Sequence, residues 1–182
     1  MDFEKYGRFM LEETAALLAI DSPSGMTQAA ADHVTARFEA LGCRCERTRK
    51  DGVIVHLGGA QKEDGLLLEA HMDTLGGMVC EIKKNGRLKI TRIGGLNANN
   101  VETENCRVIT KFGGAIEGTA QLCNASIHVN GQYADEKRTF DTIEIVLDED
   151  VKCAEDVKKL GVRTGDYVCF DPRTRITPGG YI

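Results

Sequence analysis

The stretch LLLEAHMDTLGGMV, Leu66–Val79, carries the reading of the fold. Three leucines lead into His71, Met72 and Asp73, and two glycines, Gly76 and Gly77, follow shortly after. A short apolar run bounded by glycine reads as a strand buried on both faces, here Gly65 to Ala70, with its leucines in a core. Residues i and i+2 of a strand share a face, so His71 and Asp73 converge where the run stops. Open α/β sheets place their sites at strand ends. An imidazole that binds a metal commonly donates its other N–H to a carboxylate, which fixes its tautomer and orientation. On these residues alone the plainer reading, a surface His and Asp at a strand end, is favoured.

Working outward, Phe3 to Ile20 has helical periodicity, with Phe3, Tyr6, Met10, Leu17 and Leu18 on one side. The segment DSPSG, Asp21–Gly25, breaks it. A second helix is predicted over 27–41, with Thr27 as candidate cap, an Ala30, Val34, Phe38 and Leu41 stripe, and Gly42 as the stop. The period then changes. CRCERTRK, Cys43–Lys50, alternates as a strand, Asp51-Gly52 signals a hairpin, and VIVHLGG returns beside it. Beyond Gly77, β-like runs recur at 78–82, 87–93, 106–110, 116–121, 143–146 and 167–170, with a tight turn at Asn85-Gly86. AEDVKKLG reads as one short helix with a glycine stop. Short strands with glycine-rich turns suggest a small barrel or sandwich. The expected organisation is therefore α/β, with 1–74 and 166–182 in one domain and 75–165 inserted as a β-rich domain.

Composition limits the function classes. The chain has 182 residues, 42% hydrophobic and 28% charged, which is ordinary for a globular domain. A net charge of −5 argues against a phosphate backbone as main partner, so no nucleic acid is expected. No apolar run approaches the roughly 20 residues that span a bilayer, so no membrane is expected either. The acidic start, MDFEKYGRFMLEETAALLAI, does not resemble a signal peptide and points to the cytoplasm. Seven cysteines without a C-x-x-C pair fit a reducing compartment, most of them serving as small buried hydrophobes.

AHMDTLGGMV, followed by IKKNGRLKITRIGG, resembles metallopeptidase family forty-two, the glutamyl and deblocking aminopeptidases. IDSPSG, ASIHVNG (125–131) and IEIVLDEDVKCAEDVKKLGVRTGDYVCFDPRT (143–174) agree with that family in order, so the resemblance covers nearly the whole chain. It implies a metallopeptidase (phosphorylase/hydrolase-like) catalytic layer, here partial, interrupted by a small PA-like β-barrel domain. It implies two divalent metal ions, zinc or cobalt, and removal of residues from peptide N-termini. Two ions about 3.5–4 Å apart clamp the attacking hydroxide and the scissile carbonyl. By resemblance His71 is the first metal-ligating histidine and Asp73 the aspartate that orients it. Position 74, often glutamate in the family, is Thr74 here.

The family's other ligands and general base have no counterpart in this sequence. In the family they follow the segment that matches ITPGGYI, 176–182. A catalytic zinc keeps three protein ligands, so the 182-residue chain alone is expected to be inactive and not to bind the ions tightly. An incomplete layer exposes apolar surface, so self-association into a homo-oligomer, or a complementary chain carrying the missing half, is expected. The alternative is a non-catalytic oligomerisation or protein-interaction module, or a half-length paralogue. Asp171 reads as a strand-end residue before a proline turn and His33 as a solvated helix residue. His56 reads as packed or surface-facing, and His128, by resemblance, as part of a structural or subunit-contact loop.

Overall fold

A computed structural model describes residues 3–61 and 63–182. Residues 1, 2 and 62 of the expected first segment lie outside the described residues. The chain divides into two compact units, one of Met1–Thr74 with Pro172–Ile182 and one of Leu75–Asp171.

The first unit opens with α1 (Phe3–Leu18) and α2 (Gln28–Ala40), joined through the DSPSG break. Thr27 precedes α2 but makes no side-chain capping bond. Gly42, at φ 81°, ends the turn after α2, a conformation glycine adopts without steric cost. α1 has no buried residue. It meets α2 through an ion pair of Glu13 with Arg37, and the Arg37 guanidinium lies 5.7 Å from the Phe9 ring. His33, expected in solvent, is instead half-buried, with Nε2 3.4 Å from Glu13 Oε2, because α1 covers that side of α2. The hairpin forms as the alternation predicts: β1 (Arg44–Arg47) pairs antiparallel with β2 (Val53–His56), Arg44 opposite His56 and Arg47 opposite Val53.

The leucine run departs from expectation. Gly65–Ala70 is not a strand, and Leu66, Leu67 and Leu68 are 87%, 81% and 73% exposed. A central strand is held by ladders on both edges. Among the described residues none runs beside this segment. The nearest ladder is a single parallel bridge, Pro23 to Thr74, at its far end.

The second unit is a closed barrel of six antiparallel strands in the order β3-β4-β7-β6-β5-β8. These are β3 (Gly76–Ile82), β4 (Leu88–Ile93), β5 (Asn105–Ile109), β6 (Ala115–Leu122), β7 (Ile143–Leu147) and β8 (Tyr167–Phe170). Every β-like run predicted beyond Gly77 is a strand here. Gly86, at φ 82°, supplies the turn between β3 and β4 that Asn85-Gly86 predicts. Alternation sends one set of side chains inward: Leu88 and Ile90, Cys106 and Val108, Ala120 and Leu122, Ile143 and Ile145, and Val168 are all 1% exposed or less. Each large one contributes about 1.5–3 kcal/mol by leaving water. The short helix α3 (Ala154–Lys159) adds buried Val157 to this core.

Two expectations are corrected by the barrel. Tyr167–Phe170, placed by sequence with the outer domain, pairs with both β3 and β5 and closes the barrel, so this unit extends to Asp171. The sequence boundary at 165 missed it because four residues carry no mark of which sheet they join. Of the seven cysteines only Cys106 and Cys169 are buried, while Cys80 and Cys123 are exposed and the rest half-buried. Cys80 sits at an irregularity of register between Val79 and Glu81, which turns it out of the inward set.

Candidate functional site

The first unit brings the segment after α1 against the end of the leucine segment. Ser22, buried, donates from Oγ to the Met72 carbonyl at 2.9 Å, and its own carbonyl accepts from the Thr74 N–H at 2.8 Å. With the Pro23–Thr74 bridge, these bonds fix the backbone on both sides of Asp73. Ser24 then donates from Oγ to Asp73 Oδ2. The other carboxylate oxygen, Oδ1, lies 3.1 Å from His71 Nδ1, and the Asp73 carbonyl oxygen lies 2.9 Å from the same nitrogen.

That geometry sets the imidazole's protonation. A carbonyl oxygen only accepts, so Nδ1 is the N–H that donates to it, and the carboxylate is a second acceptor. In the neutral ring this leaves Nε2 as a bare lone pair. The His71 side chain is 85% exposed, so Nε2 is open to solvent or to a ligand. Asp73 is held below the usual carboxylate range, first by the Ser24 hydrogen bond and also by His71, against an opposing effect of partial burial. Asp73 therefore stays an anion through the ordinary carboxylate range and keeps an acceptor facing the imidazole.

Ser24 and the segment Ala70–Asp73 line a cleft of about 540 Å³, whose other walls are Gly25, Thr27 and the hairpin turn Arg49–Gly52. As a metal donor set they are incomplete. His71 offers one nitrogen, while both Asp73 oxygens are already engaged. Among the described residues no group of three His, Cys, Asp or Glu side chains converges. The arrangement thus supplies one oriented ligand to a metal, and no chemical step through an ion follows from these residues alone.

His71 and Asp73 meet as the sequence reading has it, but not by strand alternation, because 65–73 is not a strand; the Ser22 bonds and the Pro23–Thr74 bridge hold the backbone there instead. Sequence reasoning read DSPSG only as a helix break and a family segment, and so missed Ser22 and Ser24. Two serines flanking a proline at a helix end are donors with no helix to join, which was the available signal. His56 is surface-facing and bonds Glu46 at 3.0 Å, and His128 is exposed. Asp171 ends β8 as expected, with its N–H on the Asn105 carbonyl at 3.1 Å and its carboxylate on Arg107 at 3.2 Å.

The model of the M42 glutamyl aminopeptidase family matches residues 51–182. The YhfE protein of Bacillus subtilis (strain 168) is 38% identical over 175 residues, 96% of this chain and 51% of that protein. An aminopeptidase from the archaeon Desulfurococcus kamchatkensis has a similar solved structure, with TM-score 0.78 and 23% identity over 91% of this chain and 44% of that one. The TET1 peptidase of Pyrococcus horikoshii, which can assemble into a tetrahedron or a large octahedral shell, matches with TM-score 0.72 and 20% identity, over 92% of this chain and 48% of that one. The structural likeness is one of fold, α/β with a closed six-stranded antiparallel barrel. The chain spans about half the length of the relatives it matches. A family match over most of the chain and a close relative along nearly all of it agree: the chain belongs to the M42 glutamyl aminopeptidase family.

Proposed function

We propose that this chain is the N-terminal portion of a binuclear metal-dependent aminopeptidase that hydrolyses the N-terminal residues of peptides. The observation that carries the proposal is the His71–Asp73 pair: a donor bond to a carbonyl and a carboxylate leaves the opposite ring nitrogen free at the mouth of a cleft. His71 Nε2 is then one metal ligand. Asp73 orients the ring and raises its basicity, and Ser24 holds Asp73. In the complete protein a pair of divalent ions, zinc or cobalt, held in part by His71 Nε2, would supply Lewis-acid chemistry. The first unit is read as part of the catalytic layer and the barrel as the inserted, PA-like domain.

The chain alone is proposed to be inactive and not to bind the ions tightly, since one imidazole falls short of the three protein ligands of a catalytic zinc. The complete protein is proposed to act in the cytoplasm as a homo-oligomer, in keeping with a structural relative that assembles into shells. No helix among the described residues is long and apolar enough to cross a membrane.

A second reading, a non-catalytic assembly module or half-length paralogue, draws on the absence of a converging donor group among the described residues. The discriminating experiment compares this chain with one extended by the following coding sequence, on aminoacyl-nitroanilides with added cobalt or zinc. Turnover by the extended protein alone supports the proposal. Turnover by neither supports the second reading, and clear turnover by the 182-residue chain contradicts the proposed inactivity.

A further inference from the structure

The cleft that holds His71 also holds two cations without a task. Arg49 and Lys50 are exposed on the hairpin turn and line the same cavity as His71 and Asp73. Neither has a hydrogen-bond or ion-pair partner among the described residues. The acids nearby are already engaged. Asp51 accepts from Arg47 at 2.9 Å, and Arg47 also bonds Asp32 at 2.5 Å. Asp73 accepts from Ser24 and His71. The two cations are thus left uncompensated in a chain whose net charge is −5.

The turn that carries them is fixed rather than loose. Thr48 N–H donates to the Gly52 carbonyl at 2.9 Å, Asp51 N–H to the Thr48 carbonyl at 3.1 Å, and Gly52 N–H to Thr48 Oγ1 at 2.9 Å. Asp51 takes a left-handed φ of 61° to close it. Strand pairing from Arg47–Val53 outward anchors both ends. A rigid turn that offers a guanidinium and an ammonium to a cleft suits an anionic group, and a guanidinium suits the two oxygens of a carboxylate.

We propose that Arg49 and Lys50 bind a carboxylate of the peptide whose end lies at His71. The proposal deepens the reading of the cleft as a peptide site and rests on it. The carboxylate has two sources, an acidic side chain or the free C-terminus of a short peptide, and both present the same chemistry to the turn.

The test is an NMR titration of the 182-residue chain carrying Leu67→Glu, which removes an exposed leucine outside the cleft and limits self-association, and it needs neither metal nor turnover. The probes are trialanine, trialanine amide and Glu-Ala-Ala amide, and the signals followed are those of the His71 ring and the Gly52 amide. One or both carboxylate-bearing peptides are expected to bind about threefold to fivefold more tightly than trialanine amide. The preference should weaken in molar salt, because the contact is exposed to solvent. Trialanine singles out the C-terminus as the source, and Glu-Ala-Ala amide the side chain. Arg49→Gln and Lys50→Gln should each lower the preference while leaving the remaining spectrum unchanged. Equal binding of all three peptides, no binding of any at millimolar concentration, or a preference unchanged in both variants overturns the proposal. Failure of the extended protein to hydrolyse nitroanilides would sink the aminopeptidase reading and leave a measured carboxylate preference standing as a binding property.

Discussion

Ser24 and Asp73 stand 49 residues apart in sequence, yet the serine hydroxyl donates directly to Asp73 Oδ2. The other oxygen of that carboxylate, Oδ1, is 3.1 Å from His71 Nδ1. The chain Ser24–Asp73–His71 is what converts a His and an Asp two positions apart into an oriented pair.

Removing the hydroxyl should release the carboxylate. Asp73 is held below its ordinary value chiefly by Ser24, so Ser24→Ala should move its titration upward toward the usual carboxylate range, as read by the carbon-13 shift of its carboxyl. A lowered folded-state value means that the stability it contributes is present above the ordinary carboxylate range. That contribution is lost as pH falls through the lowered value. Asp73 is 40% exposed, so the effect is small, and the variant should flatten it further. An unchanged titration would remove Ser24 from the account.

A stronger electrostatic constraint lies in the barrel. Glu144 on β7 is 2% exposed and accepts from Lys83 at 2.8 Å and from Arg87. Burial pushes its carboxyl up, but the two cations outweigh that and hold it below its ordinary value. Lys83→Met should cost about 1–3 kcal/mol in urea unfolding at neutral pH. The cost should shrink on acidification as Glu144 protonates in both proteins, since the ionised pair contributes only above the lowered value. A cost that does not change with pH would point to lost packing by the lysine stem instead.

Barrel closure depends on a close approach at Gly118 in β6. A Cβ there would lie 2.7 Å from the Val146 carbonyl oxygen and 3.1 Å from Ile145 Cγ2. Gly118→Ala should therefore destabilise the protein by about 1–3 kcal/mol. Gly95→Ala, with nothing within 4 Å of the added atom, should stay within about 0.5 kcal/mol. Thermal unfolding of the two variants side by side makes the comparison, and equal melting temperatures would contradict it.

The exposed leucines predict behaviour in solution. Large contiguous apolar surface on a soluble chain favours association. The 182-residue chain should therefore self-associate at micromolar concentration in sedimentation velocity, and Leu67→Glu should reduce this without lowering the melting temperature. A clean monomer of the unsubstituted chain would contradict the expectation.

Much of this was legible in the sequence because it is local. Period 3.6 marked α1 and α2, alternation with Asp51-Gly52 marked the hairpin, and the six short runs beyond Gly77 marked the barrel strands. What escaped was long-range. Whether Gly65–Ala70 pairs depends on neighbours, not on its leucines, and the run looks the same paired or bare. β8 belongs to the barrel because β3 and β5 accept it, which four residues do not announce. His33 looks solvated until α1 is laid across it. At the site, the His71–Asp73 pair is a spacing and could be read. Ser24 reaches it only through the fold, and Arg49 and Lys50 read as the end of an alternating strand until the turn brings them to the same cleft.

The central claim, that His71 is poised to present Nε2 to a metal, is tested most directly by its tautomer. Long-range proton–nitrogen-15 correlation of the His71 ring in alkaline buffer, where imidazoles are neutral, distinguishes the two nitrogens. The account predicts a protonated Nδ1 and a bare Nε2, with the preference weakened in Asp73→Asn. A ring protonated at Nε2, or one averaged equally between tautomers, would contradict it.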